Sequence, residues 1–465
     1  MSAALTLDPD APDALFNYGN MLRDAGRLND ALAAYDRALA AKPEDPAIRN
    51  ARAETLKIKG NGLQKAERPE DALACYDRAL ADMPLYPDAL NDRARVLWSL
   101  GRFDEALMGF DAALTMKPDH IQAHCNRGTT LRDMLRLDEA MQSFDRAIVI
   151  DPTVAPAYRG KAFCALLQGD FAQGLPLYEW RKSLNPPIEA RNYSQPLWSG
   201  TEDIRGKTVH LYVEQGLGDA IQFYRFVTPL LARGAHVVLS VQKSLLRLLE
   251  NATPKVELRD SKAVAPAFDY HVPLMSLPLA LNLTVASIPS GVPYLKAEAE
   301  RVAHWRRSIG EKGFKIGISW HGARSHGVVG RAMPLACFQE LSRLRGVRLI
   351  SLQKGFGTEQ LAGLPDVESL GEDFDSGPDA FLDSAAVMEC LDLVITLDSA
   401  VAHLAGALGR PVWVALKRVP EWRWLLGRSD SPWYPTMRLF RQKTDGDWTG
   451  VFTEMQSQMP KLTVA

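Results

Sequence analysis

Tyr35-Asp36-Arg37-Ala38 returns as Tyr76-Asp77-Arg78-Ala79 and as Phe144-Asp145-Arg146-Ala147, with Phe110-Asp111-Ala112-Ala113 between them. With Tyr178 added, the aromatics are spaced by 41, 34, 34 and 34 residues. Prolines keep step at Pro9, Pro43, Pro84, Pro118 and Pro152, with gaps of 34, 41, 34 and 34. Ala31, Ala72, Ala106 and Ala140 stand four residues before the first four aromatics, and Ala38, Ala79, Ala113 and Ala147 three after. Positions at these offsets share one helix face. Small residues let a paired helix approach, the aromatic fills the groove, and each proline stops its helix for want of an N–H.

A 34-residue period of this kind resembles the tetratricopeptide repeat. An α-solenoid is therefore expected over residues 1–186. The 41-residue gap carries seven extra residues, expected around Lys57 to Arg68, with Gly60 and Gly62 loosening a turn. The frame also has the chain begin inside a repeat, with Ala3 to Pro9 as the tail of a second helix. Stacked helix pairs present a concave surface suited to peptides or partner proteins. The same array can instead support the next domain or dimerise, and both readings stay open.

Beyond Pro186 short apolar strands alternate with helical stretches, the pattern of parallel α/β architecture. Strands are predicted at Thr208–Val213, Val237–Val241, Tyr270–Val272, Lys315–Trp320, Arg348–Leu352, Leu393–Leu397 and Val412–Leu416, with one helix from about Asp219 to Ala232. The proline-rich stretch Pro289–Tyr294 separates two lobes, giving an expected division of 1–186, 187–300 and 301–465. Two such lobes across a cleft place ligands at the carboxyl ends of their strands.

Bulk properties narrow the function. A formal net charge of -2 over 465 residues, with no basic run, leaves no footprint for nucleic acid. The five cysteines form no C-x-x-C pair, so a zinc site or disulfide framework is not expected. No signal peptide and no apolar run long enough to span a bilayer is visible, and a cytoplasmic protein is expected.

Four segments can carry chemistry. Glu214-Gln215-Gly216-Leu217-Gly218-Asp219 follows a strand and opens a helix. Gly216 and Gly218 allow a tight turn with close approach of a substrate, Gln215 is with them a candidate acceptor or loop contact, and Asp219 can take a proton from an acceptor hydroxyl. It can equally complement the helix N-terminus. Thr396-Leu397-Asp398-Ser399-Ala400-Val401-Ala402-His403 is a second strand-to-helix junction. Here Ser399 can cap the helix, free N–H groups can cradle a diphosphate, and His403 can reach a phosphate or sugar. An ordinary capped helix with a packed histidine fits the same letters. The glycine- and arginine-containing segment Trp320–Leu335, with Arg324 and Arg331, suits phosphate clamping, and Lys354 at the end of the next strand can add charge. The tract from Trp422-Arg423-Trp424 to Trp433-Tyr434 supplies aromatics for base stacking, though core is the leading reading.

The Gly-Leu-Gly-Asp turn, the segment Asp398 to Val412 and the tail from Ser431 to Gln442 together resemble glycosyltransferases attached to tetratricopeptide repeats. They are similar to bacterial lipopolysaccharide heptosyltransferases and, more distantly, to O-linked N-acetylglucosamine transferases. The resemblance implies a GT-B-like pair of Rossmann-like lobes. It also implies metal-independent, inverting transfer from a nucleotide-sugar co-substrate, with no other cofactor. It implies Asp219 as base, Asp398, Ser399 and His403 in the donor pocket, and Arg331 near the donor phosphates. Relatives commonly show Asn-Pro after Trp-x-Gly and later an Asp-Arg-x-Arg-Ser-like stretch. This chain has His321-Gly322-Ala323-Arg324 and Gly330-Arg331-Ala332 there. The functional expectation is a sugar transferase whose repeat arm binds an acceptor or partner protein. The alternative is an inactive repeat-containing scaffold.

Overall fold

A computed structural model describes residues 10–184, 191–322 and 332–459. The chain divides into two compact units, Met1–Lys161 and Ala162–Ala465. The expectation for Ala3 to Pro9 falls outside the described residues.

Ten helices run through the described part of the repeat region. They are α1 (Pro12–Asp24), α2 (Leu28–Ala41), α3 (Pro46–Lys65), α4 (Pro69–Asp82), α5 (Pro87–Ser99), α6 (Phe103–Met116), α7 (Ile121–Asp133), α8 (Leu137–Ile150), α9 (Ala155–Leu167) and α10 (Phe171–Tyr178). Prolines open α1, α3, α4 and α5, where the missing N–H costs nothing. The repeat aromatics Tyr35, Tyr76 and Phe110 are fully buried, and Phe144 is 1% exposed. A side chain on Gly19, Gly60 or Gly128 would come within 2.6, 2.8 and 2.7 Å of the rings of Tyr35, Tyr76 and Phe144. Glycine at those points is what lets paired helices close on the aromatic.

A second repeating feature was not anticipated. The aspartate after each aromatic pairs with a cation sixteen residues on, in the next helix: Asp36–Arg52, Asp77–Arg93, Asp111–Arg127 and Asp145–Lys161. Such exposed pairs add little stability individually, but they mark register.

They also locate the insertion. Helix α3 has 20 residues where α1, α5 and α7 have 13. Arg52 keeps its spacing of 16 from Asp36. Gly60 stands 16 before Tyr76, as Gly19 does before Tyr35. The seven extra residues are therefore Ala53–Lys59, inside the helix. The expected site near Lys57–Arg68 is corrected, and Gly60 and Gly62 are helical rather than in a loosened turn. Seven residues make close to two full turns, so both flanks keep their faces.

The second unit contains two parallel sheets. The first has order β3-β2-β1-β4, from β1 (Thr208–Tyr212), β2 (His236–Val241), β3 (Glu257–Asp260) and β4 (Tyr270–Pro273). Its short helices are α11 (Leu217–Phe223), α12 (Val227–Ala232), α13 (Leu246–Leu249) and α14 (Leu277–Ala280). After α15 (Ala299–Ile309) comes the second sheet, order β10-β9-β8-β5-β6-β7. It is built from β5 (Phe314–Ser319), β6 (Val347–Ser351), β7 (Val367–Glu368), β8 (Leu393–Leu397), β9 (Val412–Leu416) and β10 (Met437–Arg441). The helices α16 (Gln339–Ser342), α17 (Leu382–Met388), α18 (Ala400–Ala407) and α19 (Trp448–Gln458) accompany it.

The central strands are legible because both faces are covered: every residue of β8 and β9 is buried. The edge strands β3, β7 and β10 were not predicted. Glu257-Leu258-Arg259-Asp260 is half exposed and carries three charges, as edge strands do. The single predicted helix from Asp219 to Ala232 is interrupted by a 3-10 turn at Tyr224–Phe226. Pro229 is the cause, since its ring displaces the carbonyl four residues back and it has no N–H to offer.

Candidate functional site

Each sheet has one point where strand order reverses. In the first it lies between β1 and β4, and in the second between β5 and β8. Crevices at such points are where open α/β sheets receive ligands. The turn Glu214–Asp219 leaves β1, and Asp398-Ser399 leaves β8, so both junctions quoted from the sequence sit at switch points. Helices α11 and α18, which follow them, pack on one another. A side chain on Gly218 would lie 3.0 Å from Ala400 Cα and 3.1 Å from His403 Cδ2.

Asp219 has both carboxylate oxygens engaged. Its Oδ2 accepts the Gly216 N–H at 2.9 Å, and its Oδ1 accepts Arg423 Nη2 at 2.5 Å. The first bond closes the start of α11, so the capping role read from the sequence is present. The second joins the first-sheet turn to the segment after β9. The Arg423 guanidinium also meets Glu421 at 2.8 Å and lies against the rings of Phe223 and Trp422. Burial pushes the Glu421 carboxyl up; Arg423 opposes this and the charge of Asp398 adds to it.

Behind the turn lies a buried ion cluster. Arg181, fully buried, makes two bonds to Glu214 at 3.2 and 2.8 Å, and others to Glu179 and Ser276. The Glu214 side chain is 1% exposed, and burial pushes its carboxyl up while Arg181 holds it down. A buried charge of this kind persists only when paired. Gln215 donates through Nε2 to the Tyr178 hydroxyl at 3.0 Å, and its own carbonyl accepts Gln242 Nε2 at 2.8 Å. Tyr178, Arg181, Glu421 and Arg423 were missed as site residues. In the sequence Tyr178 reads only as a repeat aromatic, and Arg423 is hidden by the tryptophans flanking it.

At the second junction the side chains are placed less openly than expected. Ser399 occupies the N-cap position of α18, but its side chain makes no capping bond and lies 3.2 Å from Thr396 Oγ1. His403 is 5% exposed, stacks on Trp424 at 5.4 Å with an angle of 10° between rings, and meets the Tyr434 hydroxyl through Nδ1 at 3.3 Å. Burial, with Arg423 and Arg225 nearby, holds its imidazole well below the usual range and so neutral. Asp398 lines a small pocket with Leu416, Lys417, Pro420 and Trp448. Lys354 donates through Nζ to the Phe374 carbonyl, so its ammonium already has a role in the loop after β7. Arg331 and Arg324 lie outside the described residues.

Trp422, Trp424, Trp433 and Tyr434 are at most 1% exposed. They are core, and the stacking role weighed for this tract is set aside. Arg225 sits among them, bonding to the carbonyls of Pro289 and Trp433 and facing the Tyr434 ring at 4.4 Å. Among the described residues no group of three His, Cys, Asp or Glu side chains is placed to hold a metal ion. No helix of the described residues is long and apolar enough to cross a membrane.

Comparison with known proteins matches two parts of the chain. Tetratricopeptide-repeat families match residues 1–46, 59–121 and 121–154; the gap from 47 to 58 contains most of the insertion in α3. Glycosyltransferase family 9, the heptosyltransferases, matches residues 377–416, from just before α17 to the end of β9. The chain thus carries tetratricopeptide repeats, followed by an α/β region that includes a stretch similar to the heptosyltransferases. It is similar to Protein FlbA of Caulobacter vibrioides, 29% identical over 319 residues, or 62% of this chain and 52% of that protein. The chain spans about half the length of this curated relative. Among solved structures it is similar to YrrB, a TPR protein with an unusual peptide-binding site. The identity is 21%, covering 40% of this chain and 92% of that one, with a TM-score of 0.33. MamA from Desulfovibrio magneticus RS-1 matches at 17% identity over 38% of this chain and 97% of that one, TM-score 0.32.

Proposed function

We propose that the second unit is a nucleotide-sugar-dependent glycosyltransferase of GT-B arrangement. Residues 187–300 form the acceptor side, 301–465 the donor side, and the repeat arm engages an acceptor or partner protein. The observation that carries this reading is the coincidence of both motif junctions with the two switch points, the second of them inside the heptosyltransferase match.

In the proposed reaction Asp219 accepts the proton of an acceptor hydroxyl. The oxygen so freed forms a bond to the anomeric carbon from the face opposite the leaving group. The bond from that carbon to the diphosphate breaks, and the nucleoside diphosphate departs with the electron pair. Inversion follows from the single displacement. Asp398, Ser399, His403, Arg331 and Lys354 serve the donor, with cations and helix amides in place of a metal. Gln215, Gly216 and Gly218 form the turn on the acceptor side. Lys354 contributes charge only after leaving the Phe374 carbonyl.

A screen of the purified chain against UDP-, GDP-, ADP-, CMP- and dTDP-sugars tests this by thermal shift, with Asp398→Asn and Ser399→Ala as controls. One nucleotide class is expected to raise Tm, with the rise lost in the controls. No rise with any donor overturns the reading. One observation favours an inactive scaffold as the second reading: both Asp219 oxygens are engaged while His403 is packed. Sugar transfer by the purified chain eliminates that alternative.

A further inference from the structure

We propose that Arg423, backed by Glu421, is a positioning residue that fixes the Asp219 carboxylate at the mouth of the first-sheet crevice; this rests on the transferase reading above.

Three features support it. Arg423 reaches Asp219 from the segment after β9, across 204 residues of sequence. Its own placement is over-determined. The residue is 6% exposed, and its guanidinium is held by the Glu421 carboxylate and lies against Phe223 and Trp422. Its N–H donates to Glu421 Oε2 at 3.0 Å, and its carbonyl accepts Trp433 Nε1 at 2.8 Å. A group so confined cannot follow Asp219; Asp219 must follow it. The Gly216 N–H then fixes the second carboxylate oxygen, which leaves one orientation for the carboxyl plane.

Geometry of this kind is what a general base needs, since misplacement by a fraction of an ångström is costly. The chain Glu421–Arg423–Asp219 also spreads charge. One guanidinium serves two carboxylates, Asp219 and Glu421. The other charged or titratable groups around this chain are Tyr178 on α10, Arg181 with Glu214 before the turn, His403 on α18, and Asp398 after β8.

The test compares wild type with Arg423→Gln, Arg423→Lys and Glu421→Gln, reading kcat and donor KM. Arg423→Gln is expected to lower kcat by about tenfold or more while donor KM stays within about twofold. Arg423→Lys recovers part of kcat, and Glu421→Gln lowers kcat by less than Arg423→Gln does, again without a change in donor KM. A loss confined to donor KM, or no recovery with Arg423→Lys, overturns the proposal. A second measurement needs no turnover. In a thermal-melting cycle of Asp219→Asn, Arg423→Gln and the double variant, the double is expected to lose less Tm than the two singles added. Additive losses overturn the pairing. Failure of wild type to transfer any sugar overturns the transferase reading instead, and the melting cycle still decides whether Arg423 holds Asp219.

Discussion

The hydroxyl of Tyr178 accepts the Gln215 side-chain amide at 3.0 Å. In the first two repeats the same aromatic position serves the array itself, Tyr35 bonding Asn20 and Tyr76 bonding Asn61. At the fifth position the phenol is turned to the loop that leaves β1. The buried Tyr178 ring also meets the edges of Phe163 and Trp422, so the bond rests on a packed support. Tyr178→Phe keeps the ring and leaves the Gln215 amide without its acceptor. The expected cost is about 1 kcal/mol, that of one intramolecular hydrogen bond. Urea denaturation measures it, and the proposed acceptor-side turn should lose activity as well. An unchanged midpoint and activity would show that the bond holds nothing in place.

Close approach of α11 to α18 depends on Gly218, and that of α18 to the aromatic core on Gly406. A methyl on Gly406 would meet the Tyr434 ring at 2.5 Å, and one on Gly218 would meet Ala400 Cα at 3.0 Å. Tyr434 is fully buried and lies against Arg225, so its ring has nowhere to retreat. Both alanine variants are expected to destabilise by about 1–3 kcal/mol through overpacking, Gly406→Ala the more. Equilibrium denaturation gives the order, and a harmless Gly406→Ala would contradict the packing described.

The sequence made the repeats and the central strands plain and left the site half visible. Periodicity exposed the solenoid because each unit buries the same aromatic. β8 and β9 were plain because strands covered on both faces read as apolar runs. The edge strand β10 has an exposed Arg438 and ends in half-buried Arg441, so no such run announces it. The same limit hid the partners of Asp219. Local letters showed a carboxylate at a helix start, but the cation it meets lies 204 residues away, and only the packed fold brings the two together.

Stability should fall in mild acid, with His210 a main cause. This side chain is fully buried among Tyr193, Tyr212 and Phe268, with Nε2 2.8 Å from Ser240 Oγ. Burial pushes its imidazole down to about 4, with the charges of Arg191 and His271 adding to the effect. His271, its partner across β1 and β4, is lowered too, chiefly by burial. The unfolded chain protonates near the ordinary value of about 6.5 while the folded one resists. The stability is therefore complete above about pH 6.5 and is lost as pH falls toward 4, by at most about 3 kcal/mol from His210. His210→Phe should flatten the fall in urea midpoint between about pH 7 and 5. A slope equal to that of wild type would assign the effect to other groups.

The insertion in α3 makes a sharper test of the repeat frame. Removing Ala53–Lys59 takes out seven residues and returns α3 to the 13 residues of α1 and α5. Because seven residues turn the helix by close to two full revolutions, Gly60 would still face Tyr76 and Arg52 would still face Asp36. Removing only Ala53–Lys57 turns the following face by about 140° and swings Gly60 away from the ring it admits. Both deletions lose the buried side chains of Ala53, Thr55 and Leu56, so the comparison isolates phase from lost contacts. The seven-residue deletion is expected to keep one cooperative thermal transition and nearly the wild-type helical signal by circular dichroism. The five-residue deletion should lower Tm much further or uncouple the first repeats from the rest. Equal behaviour of the two would mean that the ring–glycine contact at Tyr76 does not set the register of the array.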